Sequence, residues 1–247
     1  MPNVTPSHHT RGLLICLTLA ALLLSSWLCP ATRAVWDALD AAVFFALNGT
    51  LATPSPWSLF WAVLNSRVTD LLPLLVLLPF LLVPDWVLPR ERRIAACCHL
   101  FFILALMLVV RTLLDVARDT LAWRGLSASL TLQPAHLLSE MYPALDPKDT
   151  SKQCFPGDHS GVLLIVAGFL VLQRRNGWTA LASLFALFFM LPRLVGGAHW
   201  LTDIAVGSSV IALCSLGLGY FTPWPHLWAE ELGKRIYQHP LTTRWLR

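Results

Sequence analysis

Runs of apolar side chains at 12–28, 70–88, 94–116, 159–172, 178–194 and 202–221 leave this chain few ways to fold in water. A helix needs about 20 mostly apolar residues to cross a bilayer, and most of these runs come close. Soluble domains carry about 25% charged residues, whereas this chain carries 13%, against 56% hydrophobic. Its mean hydropathy is +0.62, so a single core cannot hide its apolar surface. The expected architecture is all-α: one membrane-embedded domain over 1–247, built as a bundle of about six transmembrane helices. Run 70–88 contains Pro73, Pro79 and Pro84, which kink a helix but are tolerated where neighbours satisfy the freed carbonyls. Run 159–172 is short and draws on Gln173 and its flanks. The stretch 36–47 reads as interfacial, and 57–64 as too short and punctuated to span. The first run follows Arg11 and is expected to be retained, because Cys29-Pro30-Ala31-Thr32-Arg33 offers no small-x-small cleavage site.

Basic loops set the orientation. Arg11 precedes the first run; Arg90, Arg92 and Arg93 join the second to the third. Arg174 and Arg175 join the fourth to the fifth, and Lys234, Arg235, Arg244 and Arg247 follow the sixth. With these loops in the cytoplasm the alternation is consistent, and 222–247 is a cytoplasmic tail. It puts 118–155 and 196–201 together on the outer side, with 118–157 as a lid. The 11 tryptophans fit chains whose indoles settle at membrane–water boundaries. A net charge of +4 gives no reason to expect nucleic acid. Cys16, Cys97, Cys98 and Cys214 lie in apolar runs and read as small packing groups. Cys29 and Cys154 fall near one face, which leaves a disulfide open, but nothing in the sequence sets the distance between them.

Chemistry is concentrated where apolar runs meet the outer loops. His199 and Asp203 stand four residues apart, hence on one helical face, six residues after Arg193. A carboxylate beside an imidazole orients it and makes it a stronger base or nucleophile. A single histidine at a helix end is usually only a satisfied interfacial residue. Two of them at one membrane depth, with ionisable partners, favour function. His159 closes Pro156-Gly157-Asp158-His159 at a helix start, where unpaired amides attract anions and Gly157 would permit close backbone approach. Asp158 reads equally as a helix cap. Arginine forks suit phosphate oxygens. Arg193 is the leading candidate; Arg111, Arg118 and Arg124 are the others, with Arg111 and Arg118 on one face of a helix. His159, His199, Asp158 and Asp203 are also metal-ligand types, but the neighbouring arginines would repel a dication. Transfer through a phosphohistidine without metal or other cofactor is therefore expected. A transporter or a non-catalytic scaffold is the other class of reading. Transporter sites sit near mid-bilayer, whereas these motifs lie at the ends of runs.

The arrangement Arg193-x5-His199-x3-Asp203, with Pro-Gly-Asp-His upstream, resembles the type 2 phosphatidic acid phosphatase (PAP2) superfamily. That pattern reads K-x6-R-P, then P-S-G-H, then S-R-x5-H-x3-D, on a haloperoxidase-like helical core. Here Pro192 replaces the serine of the third motif, and Gly157-Asp158 replaces Ser-Gly in the second. The first motif survives as Arg111-x6-Arg118 followed by Asp119, with Arg124 as another holder of its role. The string Phe155-Pro156-Gly157-Asp158-His159, with Gly197-Ala198-His199-Trp200 and the earlier Asn65-Ser66-Arg67-Val68-Thr69-Asp70, is similar to the lipid A 1-diphosphate synthase family. That resemblance implies phosphate transfer from undecaprenyl diphosphate to the 1-phosphate of lipid A, at the periplasmic side of the cell inner membrane. An undecaprenyl-diphosphate phosphatase or another lipid phosphate phosphatase is the alternative. Lys148 and Lys152, in the 127–153 stretch before His159, are candidates to hold an acceptor's phosphates.

Overall fold

The computed structural model describes residues 6–123 and 125–238, with side chains over 9–123 and 125–236. Helices account for the regular structure among them, and Ser66 and Pro147 form an isolated antiparallel bridge. The helices are α1 (Pro6–Leu28), α2 (Pro30–Asn48), α3 (Pro56–Leu64), α4 (Leu72–Leu82), α5 (Arg93–Thr120), α6 (Ala128–Thr131), α7 (Leu138–Met141), α8 (Asp158–Gln173), α9 (Gly177–Val195), α10 (Ser209–Tyr220) and α11 (Pro223–Gln238). A π-helical segment, Asp203–Ser208, leads into α10.

Local chemistry explains the boundaries. Pro30 cannot continue α1 and instead opens α2 after an extended Cys29. Ser55 with Ser58, and Asn176 with Thr179, close reciprocal caps at the starts of α3 and α9. Beyond α9, Gly197 takes φ +80°, a left-handed turn that a Cβ would strain. α4 keeps Pro73 in its first turn and stops before Pro84, as the residue before a proline is pushed to extended backbone.

α10 sits centrally, packed on α1, α5 and α8; α8 also packs on α9, and α9 on α4. Leu14, Ile15 and Leu22 on α1, Phe101, Leu108 and Leu113 on α5, and Leu184 and Leu187 on α9 face outward. An outer surface this apolar belongs in lipid, and the protein is a multi-pass membrane protein.

Among the described residues, five helices are long and apolar enough to cross a membrane: His9–Leu28, Pro30–Leu51, Arg90–Thr120, Gly177–Val195 and Asp203–Tyr220. The expected spans at 70–88 and 159–172 are the shorter helices α4 and α8. The first still runs the depth of the bundle. Asp70 pairs with Arg193 near the end of α9, and at the other end Trp86 stacks on Trp178, 4.1 Å between centroids. Prolines shorten the regular helix without shortening the path.

The span-length α2 does the opposite. Its Trp36 donates to Ser26 at the end of α1, Asp40 accepts from Thr202, and Asn48 donates to the carbonyls of Val195 and His136. Both of its ends therefore lie at one end of the bundle, across which α2 extends. This agrees with the interfacial reading of 36–47 and not with a crossing. Cys29, exposed, and Cys154, buried, are not joined by a disulfide.

Candidate active site

The sequence motifs converge at the bundle end that α2 crosses. α9 brings Arg193 there in its last turn, and the Gly196-Gly197 turn sends the chain back so that His199 N–H donates to the Arg193 carbonyl at 3.2 Å. His199 therefore lies in the turn and not on the helical face expected from its spacing to Asp203; the π-helical segment that follows presents Asp203. His199 Nδ1 stands 3.2 Å from Asp203 Oδ2, which also accepts the Trp200 N–H at 2.8 Å. Both side chains are buried, Asp203 almost completely. With Nδ1 engaged, the free ring nitrogen, Nε2, is the one able to attack. Thr202 is tied to the buried Asp40 by two hydrogen bonds, 2.9 Å from its N–H and 2.8 Å from its hydroxyl. The π turn at Asp203–Ser208 reorients the chain beside the dyad, as such bulges often do at functional sites.

Arg193 is buried and heavily constrained. It ion-pairs with Asp70 and donates to Asn65 Oδ1 at 2.8 Å. It also reaches the carbonyls of Asn65 and Lys148, at 3.3 and 3.4 Å. These partners sit on loops far away in sequence. Motif spacing gave no signal for them, although the Asn65–Asp70 string did enter the family resemblance. His159 opens α8, where Arg193, Asp70 and Asp158 are its charged neighbours and its ring reaches toward the Phe189 carbonyl of α9.

The first-motif arginines separate. Arg111 pairs with Asp158 at 3.3 Å and with Asp115 at 3.5 Å, which puts its guanidinium beside the start of α8. Arg118 is buried and directed elsewhere: 2.8 Å to Asp115, 2.9 Å to Asp119 and 2.7 Å to the Phe155 carbonyl. It ties the loop before α8 to the end of α5. Arg124 lies outside the described residues.

Gly157 packs too closely on the π-helical segment to carry a side chain. A Cβ there would lie 2.8 Å from Ser208 Oγ and 3.2 Å from the Asp203 carbonyl. Gly157 therefore lets α8 start against the π segment, locked by Ser208 Oγ donating to the Gly157 carbonyl at 2.5 Å. Asp158 accepts the His159 N–H at 2.8 Å, so one of the helix-start amides is already matched by a carboxylate.

Above these groups, the loop at Pro147–Asp149 approaches. Lys148 N–H donates to the Asn65 carbonyl at 2.8 Å, and its ammonium has Arg193, Asp158, Asp70 and Arg67 as charged neighbours. Burial, then the positive field of Arg193, lowers Lys148 below the usual lysine range. Burial raises the Asp149 carboxyl, which accepts the Ser139 N–H at 2.7 Å. Lys152 is exposed and is not among these neighbours. Among the described residues, no group of three or more His, Cys, Asp or Glu side chains is arranged to hold a metal ion.

The PAP2 superfamily pattern matches residues 125–228, which include His159, Arg193, His199 and Asp203. The chain is similar to Lipid A 1-diphosphate synthase of Escherichia coli (strain K12): 29% identical over 201 residues, covering 80% of this chain and 82% of that protein. No solved structure matches it. Residues 125–228 thus carry the PAP2 superfamily pattern, and the chain is an enzyme of the lipid phosphatase and phosphotransferase kind.

Proposed function

We propose that this protein moves a phosphoryl group from undecaprenyl diphosphate to the 1-phosphate of lipid A, giving lipid A 1-diphosphate. The single observation that carries the reading is the buried His199–Asp203 pair, whose backbone leans on Arg193 at one end of a membrane bundle. Similarity to the E. coli synthase supports the choice of donor and acceptor.

In this mechanism His199 attacks the terminal phosphorus, and Asp203 orients the ring and balances the positive charge it gains. Arg193 and Arg111 neutralise the equatorial oxygens as they exchange Asp70 and Asp158 for phosphate. His159 provides a proton or hydrogen bond to the leaving oxygen. Asp158 and Gly157 shape the start of α8 around it, and Arg118 holds Phe155. The basic residues Arg93 and Arg174 bond to Leu82 and Asp85 at the opposite end of the bundle. The positive-inside rule then supports a periplasmic site in the cell inner membrane. The chain acts as one domain, with 118–157 as its lid; of the tail expected at 222–247, α11 packs on α5 on the cytoplasmic side, and 239–247 lie outside the described residues.

The second reading is an undecaprenyl-diphosphate phosphatase. It is favoured by one observation: the Asp158 side chain is 40% exposed, so water can approach the site. The test is purified protein with undecaprenyl diphosphate labelled in its terminal phosphate. Label should appear on lipid A only when both lipids are present and should vanish in His199→Ala. Inorganic phosphate released at an unchanged rate without acceptor would establish the phosphatase instead.

A further inference from the structure

A diphosphate donor brings two phosphates, and the dyad with Arg193 accounts for only the one being moved. We propose that Lys148, backed by Arg67, forms a second phosphate subsite, which selects diphosphate donors and phosphomonoester acceptors. The proposal rests on the phosphotransfer reading above and specifies what that site recognises.

Placement comes from two loops clipped together. The Ser66–Pro147 bridge and the Lys148 N–H to Asn65 carbonyl bond join residues 65–70 to 146–148. Arg193 reaches back to carbonyls on both loops, so the clip is registered on the guanidinium at the centre of the site. Arg67, at the rim, pairs with Asp146 at 2.6 Å, and both side chains are well exposed.

Charge pairing then singles out Lys148. Arg193 has Asp70, Arg111 has Asp158 and Asp115, and Arg67 has Asp146. Among the described residues the Lys148 ammonium makes no ion pair within 4.0 Å; it is half-buried, and the nearby Asp158 and Asp70, each already paired with an arginine, offset burial and the Arg193 and Arg67 guanidiniums only in part. A cation in that position is unfavourable until an anion joins it. An incoming phosphate bearing about two negative charges would supply that anion.

The chemistry requires such a group at this position. An alcohol leaving group needs a full proton, whereas a phosphate leaving group departs as an anion: a hydrogen bond from His159 suffices for it, but it needs a cation beside it. In the first step a bond forms between the His199 nitrogen and the terminal phosphorus. The bridging P–O bond breaks, and its electron pair goes to the departing phosphate, facing Lys148. In the second step an acceptor phosphate seated in the same subsite attacks phosphorus through an oxygen. The P–N bond breaks and its electrons return to His199. Donor product and acceptor are both phosphomonoesters, so one subsite serves both steps.

The experiment compares Lys148→Met, Lys148→Arg and Arg67→Gln with wild type in the purified full chain. It measures kcat/KM on undecaprenyl diphosphate and on phosphatidic acid, and inhibition constants for inorganic diphosphate and inorganic phosphate. Lys148→Met should weaken the diphosphate substrate and inhibitor roughly tenfold more than their monophosphate counterparts. Lys148→Arg should restore most of that difference, and Arg67→Gln should show a smaller difference of the same sign. Equal losses on both classes, or no loss on either, would overturn the subsite. If wild type fails to label lipid A but the variants still separate diphosphate from monophosphate, the acceptor reading fails and the subsite stands. If lipid A is labelled and no separation appears, the reverse holds.

Discussion

Replacing Asp203 with asparagine isolates one charge from the geometry around it. The amide has nearly the same shape, and its oxygen still accepts the Trp200 N–H that Asp203 now accepts at 2.8 Å. What is lost is a negative charge 3.2 Å from His199 Nδ1, in a pair with almost no solvent exposure. As the ring attacks phosphorus it becomes positive, so the lost term is a charge–charge interaction in the transition state. At an effective dielectric constant of about 20, two unit charges at about 4 Å interact by about 4 kcal/mol. Each ~1.4 kcal/mol is a factor of ten in rate, so phosphohistidine formation should slow by roughly a thousandfold. The assay is rapid acid-labile labelling of the protein by a donor carrying radioactive terminal phosphate, read before turnover. Because the shape is conserved, the melting temperature in detergent should change little. A rate within about fivefold of wild type, on a variant with unchanged melting, would refute the assignment of Asp203 as the charge partner.

Three other outcomes follow from the same geometry. Asp40→Ala removes the acceptor for both Thr202 donors in a buried setting; it should cost about 3 kcal/mol, read as a large drop in detergent melting temperature, with Asp40→Asn milder. Lys148 loses its proton at a lower pH than an ordinary lysine, because burial and Arg193 disfavour its charge. Acceptor KM should therefore rise as pH climbs toward the usual lysine value of 10.5, whereas Lys148→Met should lack that rise. Gly157→Ala places a carbon 2.8 Å from Ser208 Oγ; activity should fall roughly tenfold, and adding Ser208→Ala should recover part of it, as kcat measurements would register.

Some of this was legible in the chain itself. The apolar runs specify a membrane bundle because no soluble core could absorb them, and the spacing of four keeps His199 and Asp203 close, although His199 lies in the turn before the helix and Asp203 reaches back to it from the first helical residues. His159, Arg193 and His199 are likewise readable, since each sits where an apolar run meets a loop. The number of long helices was less legible. Composition makes α2 span-length, yet Asp40 and Asn48 bond to Thr202 and Val195 and hold it across the bundle end. The first-motif arginines are equivalent by spacing. They part only because Asp158 lies beside Arg111, whereas Arg118 meets the Phe155 carbonyl.

From its own residues, then, this sequence specifies a helical membrane protein with a histidine–carboxylate pair and an arginine at one depth, because hydrophobicity and chain spacing act over short stretches. Tertiary structure alone decided which carboxylate each arginine meets, why Gly157 has no side chain, and where Lys148 stands. Asp70, Asn65 and Ser208 reach the site from loops and helices distant in the chain, and no local periodicity encodes a contact between them.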